Sequence, residues 1–216
     1  MDQNIKLWGR ATSVNVQKVA WVLAELGLTC DRIDVGGAFG GLDDPDYITM
    51  NPNRRVPTLL DGDLVLWESN AICRYLVDTY GDSALLKGKT AAERAQSDMW
   101  MEWFQSTLYA IFIDLFYQDV RLPPSKRDPV KKAKALAAMS DALAIADAIL
   151  ADQDYMSGAR LGLGDIPIGA CLYRYYTMNI DRAAHTNLER YYKRLVTRPA
   201  YRDHVMIDYS SLRSSD

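Results

Sequence analysis

Two short stretches carry residues whose types and spacing suit ligand chemistry. The first is Val56-Pro57, a proline at the mouth of a predicted strand, where a ladder N–H is expected. A cis bond would account for it, because cis costs little before proline and is nearly absent elsewhere. That geometry turns the Val56 carbonyl and N–H outward, so an extended peptide can add itself as a short strand. A trans proline on an edge strand is the plainer alternative. The second stretch is Glu68-Ser69, where a strand runs directly into a helix. A helix start gathers N–H groups and positive dipole and attracts a carboxylate. The Ser69 hydroxyl suits that task, and Glu68 beside it suits an ammonium. Carboxylate plus ammonium is the head of an α-amino acid. A plain N-cap with acidic support is the competing reading.

The elements that must hold these stretches follow from periodicity. Ile5 to Trp8 reads as a strand, and Val14 to Leu26 as a helix ending at Gly27. Cys30 to Val35 is a second strand, and the glycine-rich GGAFGG (Gly36 to Gly41) follows it. That loop lacks the Lys-Ser/Thr of a P-loop, so it does not read as a nucleotide cradle. Pro45 to Met50 is a short helix. TLL and LVLW form a hairpin about Asp61-Gly62-Asp63, and Ser69 to Tyr80 is an amphipathic helix stopped by Gly81. The order β-α-β-α-β-β-α is that of a thioredoxin-like domain, with the first two strands parallel and the last two antiparallel. Beyond residue 88 no strand is apparent. Thr90 to Val120, Asp128 to Ala151 and Gly162 to Ile180 are helical by pattern, and the polar tail Ser210 to Asp216 reads as loose. The division is residues 1–80, a linker at 81–89, and an all-helical region at 90–216.

Composition excludes several classes. The chain has 216 residues, is 49% hydrophobic and carries a net charge of −3, with no long basic run. It is long enough for a substantial core, and nucleic acid is not an expected partner. No apolar run approaches the roughly 18 residues of a membrane span, and the first residues lack the apolar middle of a signal peptide, so a cytoplasmic protein is expected. Cys30, Cys73 and Cys171 are far apart and odd in number, and His185 and His204 stand away from acidic or cysteine motifs. Neither a metal site nor a disulfide framework is expected.

Val56-Pro57, the Asp-Gly-Asp turn and Glu68-Ser69 opening an amphipathic helix together resemble the glutathione-binding signature of the cytosolic glutathione transferases, of the serine type found in theta- and beta-like bacterial members. The resemblance runs the length of the chain. GLGDIPIGACLYRYY resembles the buried helix that this family opens with a Ser/Thr-x-x-Asp capping box and a hydrophobic staple. Asp165 takes the third helical position and Leu161 and Ile166 the staple, but Gly162 stands at the capping position.

The resemblance implies a glutathione transferase that conjugates the glutathione thiolate to hydrophobic electrophiles, with reduction of organic hydroperoxides as a second outlet. Glutathione is the co-substrate, and no metal takes part. Ser13 falls where the serine-type members carry their hydroxyl donor, with Asn15 and Thr12 as alternatives; Ser13 as an ordinary N-cap stays open beside it. One hydrogen bond to a thiolate contributes about 1.5–3 kcal/mol, or one to two pKa units, bringing a thiol of about 8.5 toward neutrality. Val56 and Pro57 would hold the cysteinyl backbone, and Glu68 and Ser69 the γ-glutamyl end. Arg55 would contact the peptide, with Arg10 and Phe39 among the other glutathione-binding residues and Arg54 either reaching the glycine carboxylate or facing solvent. The loop Gly36 to Asp44 holds no basic residue, where relatives often place a His or Lys, so backbone N–H groups near Phe39 and Gly40 are expected to substitute. Trp103, Thr107, Phe104 and Tyr176 are the expected electrophile contacts, in a cleft between the Arg10–Ser13 loop and the first long helix. A homodimer is implied, with Asp98 to Trp103 near its axis. The absence of cysteine from the Arg10–Asn15 loop sets aside disulfide reduction, whereas a non-catalytic binding or assembly protein of the same fold stays open.

Overall fold

The computed structural model describes residues 5–81 and 86–216. Residues 82–85 of the expected linker lie outside the described residues. The chain divides into two compact units, one of Met1–Lys89 with Pro199–Ile207, the other of Thr90–Arg198 with Asp208–Asp216.

The first unit runs β1 (Ile5–Trp8), α1 (Val14–Glu25), β2 (Asp31–Ile33), α2 (Pro45–Met50), β3 (Thr58–Asp61), β4 (Leu64–Trp67) and α3 (Ser69–Tyr80). Sheet order is β2-β1-β3-β4. β1 pairs parallel with β2 and antiparallel with β3, and β3 and β4 form the hairpin. Alternation decides which face of β1 is buried: Ile5 and Leu7 point inward with Leu59 of β3, against Val16, Val19 and Val22 of α1 and Ile72, Leu76 and Val77 of α3. Gly27 closes α1 in the left-handed region at φ 68°. The segment 199–207 was expected among the helices of the second region. Its short helix Pro199–His204 belongs instead to the first unit, where Tyr201 meets the buried Trp21 edge to face at 4.9 Å.

The second unit is helical. α4 (Ala91–Trp103) and α5 (Tyr109–Phe116) continue each other through a π-turn at Phe104–Leu108, and a second π-turn covers Tyr117–Arg121. This is the expected helix of Thr90 to Val120, with two local unwindings. α6 (Pro129–Ile149), α7 (Asp165–Thr177) and α8 (Thr186–Val196) complete the unit. Its core includes Phe104, Leu108, Phe112, Leu115, Met139, Leu143, Ile166 and Leu172, all buried. The C-terminal tail is tied down rather than loose: Ser214 donates its N–H to the Val120 carbonyl and its hydroxyl to that of Arg121.

Candidate active site

One row of paired residues crosses the sheet. Ile33 faces Trp8, Trp8 faces Thr58, and Thr58 faces Trp67. The chain leaves the sheet immediately beyond Ile33, Trp8 and Trp67, and enters it at Thr58. The Arg10–Ser13 loop, the 34–44 loop, Arg55-Val56-Pro57 and Glu68-Ser69 therefore all lie at the same end of the sheet. Gly9 permits the close approach there. It adopts φ 147°, and a Cβ at this position would lie 2.4 Å from Val16 Cγ2 and 3.1 Å from Val56 Cβ.

The Val56–Pro57 bond is cis. A buried polar hub anchors the segment. The Tyr47 hydroxyl and Asn51 Nδ2 both donate to the Arg55 carbonyl, at 2.6 and 2.8 Å, and both contact Thr58 Oγ1 at 3.0 Å. Burial raises the Tyr47 pKa against the hydrogen bonds of Thr58 and Asn51, so the phenol keeps its proton and serves as donor. Nothing in the residue types around Val56 singled out Tyr47. Asn51 had a faint signal in the turn-forming Asn-Pro-Asn.

Ser13 is the N-cap of α1 and its side chain makes no capping hydrogen bond. The loop before it is pinned by Gln17, whose buried Nε2 donates to the Ala11 carbonyl at 3.0 Å. Thr12 shares this turn, half-buried. Asn15 reaches instead toward α3: its Oδ1 accepts from Ser69 Oγ at 3.4 Å.

Glu68 opens α3 with φ 72°, a conformation that non-glycine residues seldom adopt and that gathers at functional sites. Its side chain is exposed and makes no capping bond, whereas Ser69 is buried. Beneath Ser69 lies Lys18 of α1, fully buried, with Nζ 3.5 Å from Ser69 Oγ. The sequence contained a signal for it, because Lys18 falls at helical spacing between the buried Val14 and Val22. One turn into α3, burial drives the Cys73 thiol up to about 12, outweighing the opposing charges of Lys18 and Arg74.

The 34–44 loop departs from expectation. The Phe39 and Gly40 N–H groups close the turn on the Gly36 and Gly37 carbonyls at 3.4 and 3.3 Å, and the Phe39 ring is 59% exposed. These amides are thus committed inside the loop. The Arg10 side chain lies along Gly36 and Gly37; a Cβ at Gly37 would come within 3.3 Å of Arg10 Cδ and Nε. A base outside the loop therefore stands beside it. Arg54 pairs with exposed Asp43 at 3.0 Å, and Arg55 is exposed.

In the second unit, Trp103 is half-buried and packs edge to face on Trp100 at 5.4 Å, with exposed Thr107 one turn on. Of the other two residues expected at the electrophile, Phe104 is fully buried in the helical core, and half-buried Tyr176 stacks on Tyr192 of α8 at 4.4 Å. At the start of α7 the Asp165 carboxylate is buried. It accepts from the N–H groups of Met156, Ser157 and Gly162 and from the Tyr191 hydroxyl. Burial pushes its pKa up, and those hydrogen bonds oppose the shift. Gly162 is explained by its neighbour, since a Cβ there would lie 2.6 Å from Ser157 Cβ and Oγ. The Ser157 side chain occupies the space a capping Ser or Thr would need.

One end of the sheet of this thioredoxin-like frame thus gathers a helix-start hydroxyl, a cis-proline strand mouth and a Glu-Ser helix start. Residues 3–78 match the glutathione S-transferase N-terminal domain and residues 112–199 the C-terminal domain. The chain belongs to the glutathione S-transferase family, enzymes that take glutathione as co-substrate. It is 40% identical to glutathione S-transferase GstB of Escherichia coli K12 over 208 residues, covering 95% of this chain and 100% of that one. Glutathione S-transferase 3 of Zea mays is 30% identical, covering 93% of each. The theta-class glutathione S-transferase of Xanthomonas axonopodis pv. citri, solved with glutathione bound, is 48% identical and superposes with a TM-score of 0.92, covering 95% of this chain and 99% of that one. Among the described residues no His, Cys, Asp and Glu cluster suits a metal ion, and no helix is long and apolar enough to cross a membrane.

Proposed function

We propose that this transferase conjugates the glutathione thiolate to hydrophobic electrophiles, with Ser13 as the hydroxyl that holds the thiolate, and that it also reduces organic hydroperoxides. The observation that carries this reading is the row Ile33–Trp8–Thr58–Trp67, which sets the Ser13 loop, Val56 and Glu68-Ser69 at one end of the sheet. Val56 pairs with the cysteinyl backbone. Ser69 takes the γ-glutamyl carboxylate, and Glu68 the ammonium. Arg10, beside the glycine-rich loop, supplies the cation that the loop itself lacks, with Arg55 as a peptide contact. Trp103 and Thr107 contact the electrophile.

The chemistry follows from charge. The thiol loses its proton to solvent because the Ser13 O–H and the start of α1 favour the sulfur anion. The sulfur then attacks an electrophilic carbon, and the leaving group departs with the electron pair. With a hydroperoxide the sulfur attacks oxygen, releasing alcohol, and a second glutathione completes the disulfide and water. A cytoplasmic homodimer acting in detoxification is the setting that the family supports.

Retention on immobilised glutathione and turnover of chlorodinitrobenzene test the reading on wild type and Ser13→Ala. Wild type is expected to bind and turn over. Ser13→Ala should still bind, with kcat/KM down about 10- to 100-fold and the thiol pKa of the complex raised by about one to two units. Unchanged activity in Ser13→Ala would move the role to Thr12 or a backbone N–H. Absence of retention in wild type would favour a non-catalytic member of the family.

A further inference from the structure

We infer that Lys18 is a positioning residue for glutathione, a buried cation that strengthens the grip of Ser69 on the γ-glutamyl carboxylate. The inference rests on the assignment of that carboxylate to Ser69. Lys18 is fully buried in α1, its ammonium 3.5 Å from Ser69 Oγ. Ser69 Oγ also stands 3.4 Å from Asn15 Oδ1. Both contacts are at the long end for hydrogen bonds, so the hydroxyl is loosely held between a donor and an acceptor. An arriving carboxylate draws the Ser69 proton away from Asn15. Lys18 stays behind the oxygen and polarises the O–H, making it a stronger donor to the anion. The ammonium acts through dry protein, where a charge is felt more strongly than across water. Its place under the first turn of α3 adds to the positive end of that helix.

The discriminating probe is 4-aminobutyryl-cysteinylglycine, which is glutathione without the α-carboxylate. Calorimetric titration of the full chain with both peptides is compared for wild type and Lys18→Met, with Lys18→Gln as a second variant that keeps a polar head without charge. The expected result is a loss of about tenfold in glutathione affinity in either variant, the scale of one charge-assisted contact, with affinity for the carboxylate-free peptide unchanged. KM for glutathione should rise in parallel while kcat at saturation stays within about twofold. Equal loss for both peptides, loss for neither, or failure of both variants to fold would overturn the inference and leave Lys18 a structural residue. A wild type that binds the two peptides equally would instead overturn the assignment of the carboxylate to Ser69.

Discussion

At the start of α7, one carboxylate accepts three backbone N–H groups and a phenol in a site closed to water. At the start of α3, Glu68 sits exposed in a left-handed conformation, and its side chain caps nothing. Every α-helix leaves about four N–H groups without an internal partner at its start. In the helical unit such starts are answered from within. Thr90 forms a reciprocal capping box with Glu93, Asp128 accepts from Val130 and Lys131, and Asp147 reaches across to the N–H groups of Asn187 and Leu188. In the sheet unit, Ser13 and Glu68 hold the N-cap positions of α1 and α3 without such bonds. The difference teaches that capping here is divided by task. Closed starts hold the fold together, while the open starts of α1 and α3 face the end of the sheet proposed for a thiolate and a carboxylate; the short α2, entered through Asp44 and Pro45, has no side-chain cap either.

The strongest way to break this contrast is Asp165→Ala. It strands three buried N–H groups and the Tyr191 hydroxyl, and should lower unfolding free energy by about 3–5 kcal/mol in urea denaturation. A loss below about 1 kcal/mol would show that the closed start is not structural. A smaller effect sharpens the contrast: Thr90→Ala should cost about 1 kcal/mol of stability and leave kcat/KM unchanged. Ser13→Ala should do the reverse, losing activity with its melting curve intact. If Ser13→Ala destabilises as much as Thr90→Ala, Ser13 is a cap and the division fails.

The smallest effect probes how dry the ground is beneath the open start of α3. The folded Cys73 thiol lies near 12, above its ordinary value, so the fold holds the neutral form. Its contribution to stability is therefore whole below about pH 8.5 and is lost as pH climbs through 12. At pH 8 an alkylating reagent should leave Cys73 unmodified in the native protein and modify it once urea unfolds the chain. Rapid native labelling would mean that water reaches well below Ser69.

Much of this was legible in the residues. Gly27 and Gly81 mark the ends of α1 and α3, and the hydrophobic spacing gives both their faces. The Val-Pro and Glu-Ser pairs mark the proposed site because each is anomalous for an ordinary strand or helix start, and the structure gives a cis bond at the first and a left-handed residue at the second. What stayed hidden depends on partners distant in sequence or on a change of period. Tyr47 and Asn51 act on a single carbonyl, which no composition reveals. The stack of Tyr176 on Tyr192 joins two helices far apart in sequence, which spacing along one helix does not reveal. Phe104, expected to face the electrophile, is instead fully buried at the onset of a π-turn, which the sequence does not announce. Tyr201 returns to Trp21 across most of the chain, which moved residues 199–207 into the other unit.

The 2.6 Å separation between a hypothetical Gly162 Cβ and the Ser157 side chain, too short for two unbonded atoms, makes these two positions a coupled pair with a preferred order of change. Removing the hydroxymethyl group at 157 opens room for one at 162, whereas adding the second before removing the first crowds a packed interior. A lineage thus crosses between the two arrangements by one route far more readily than by the other.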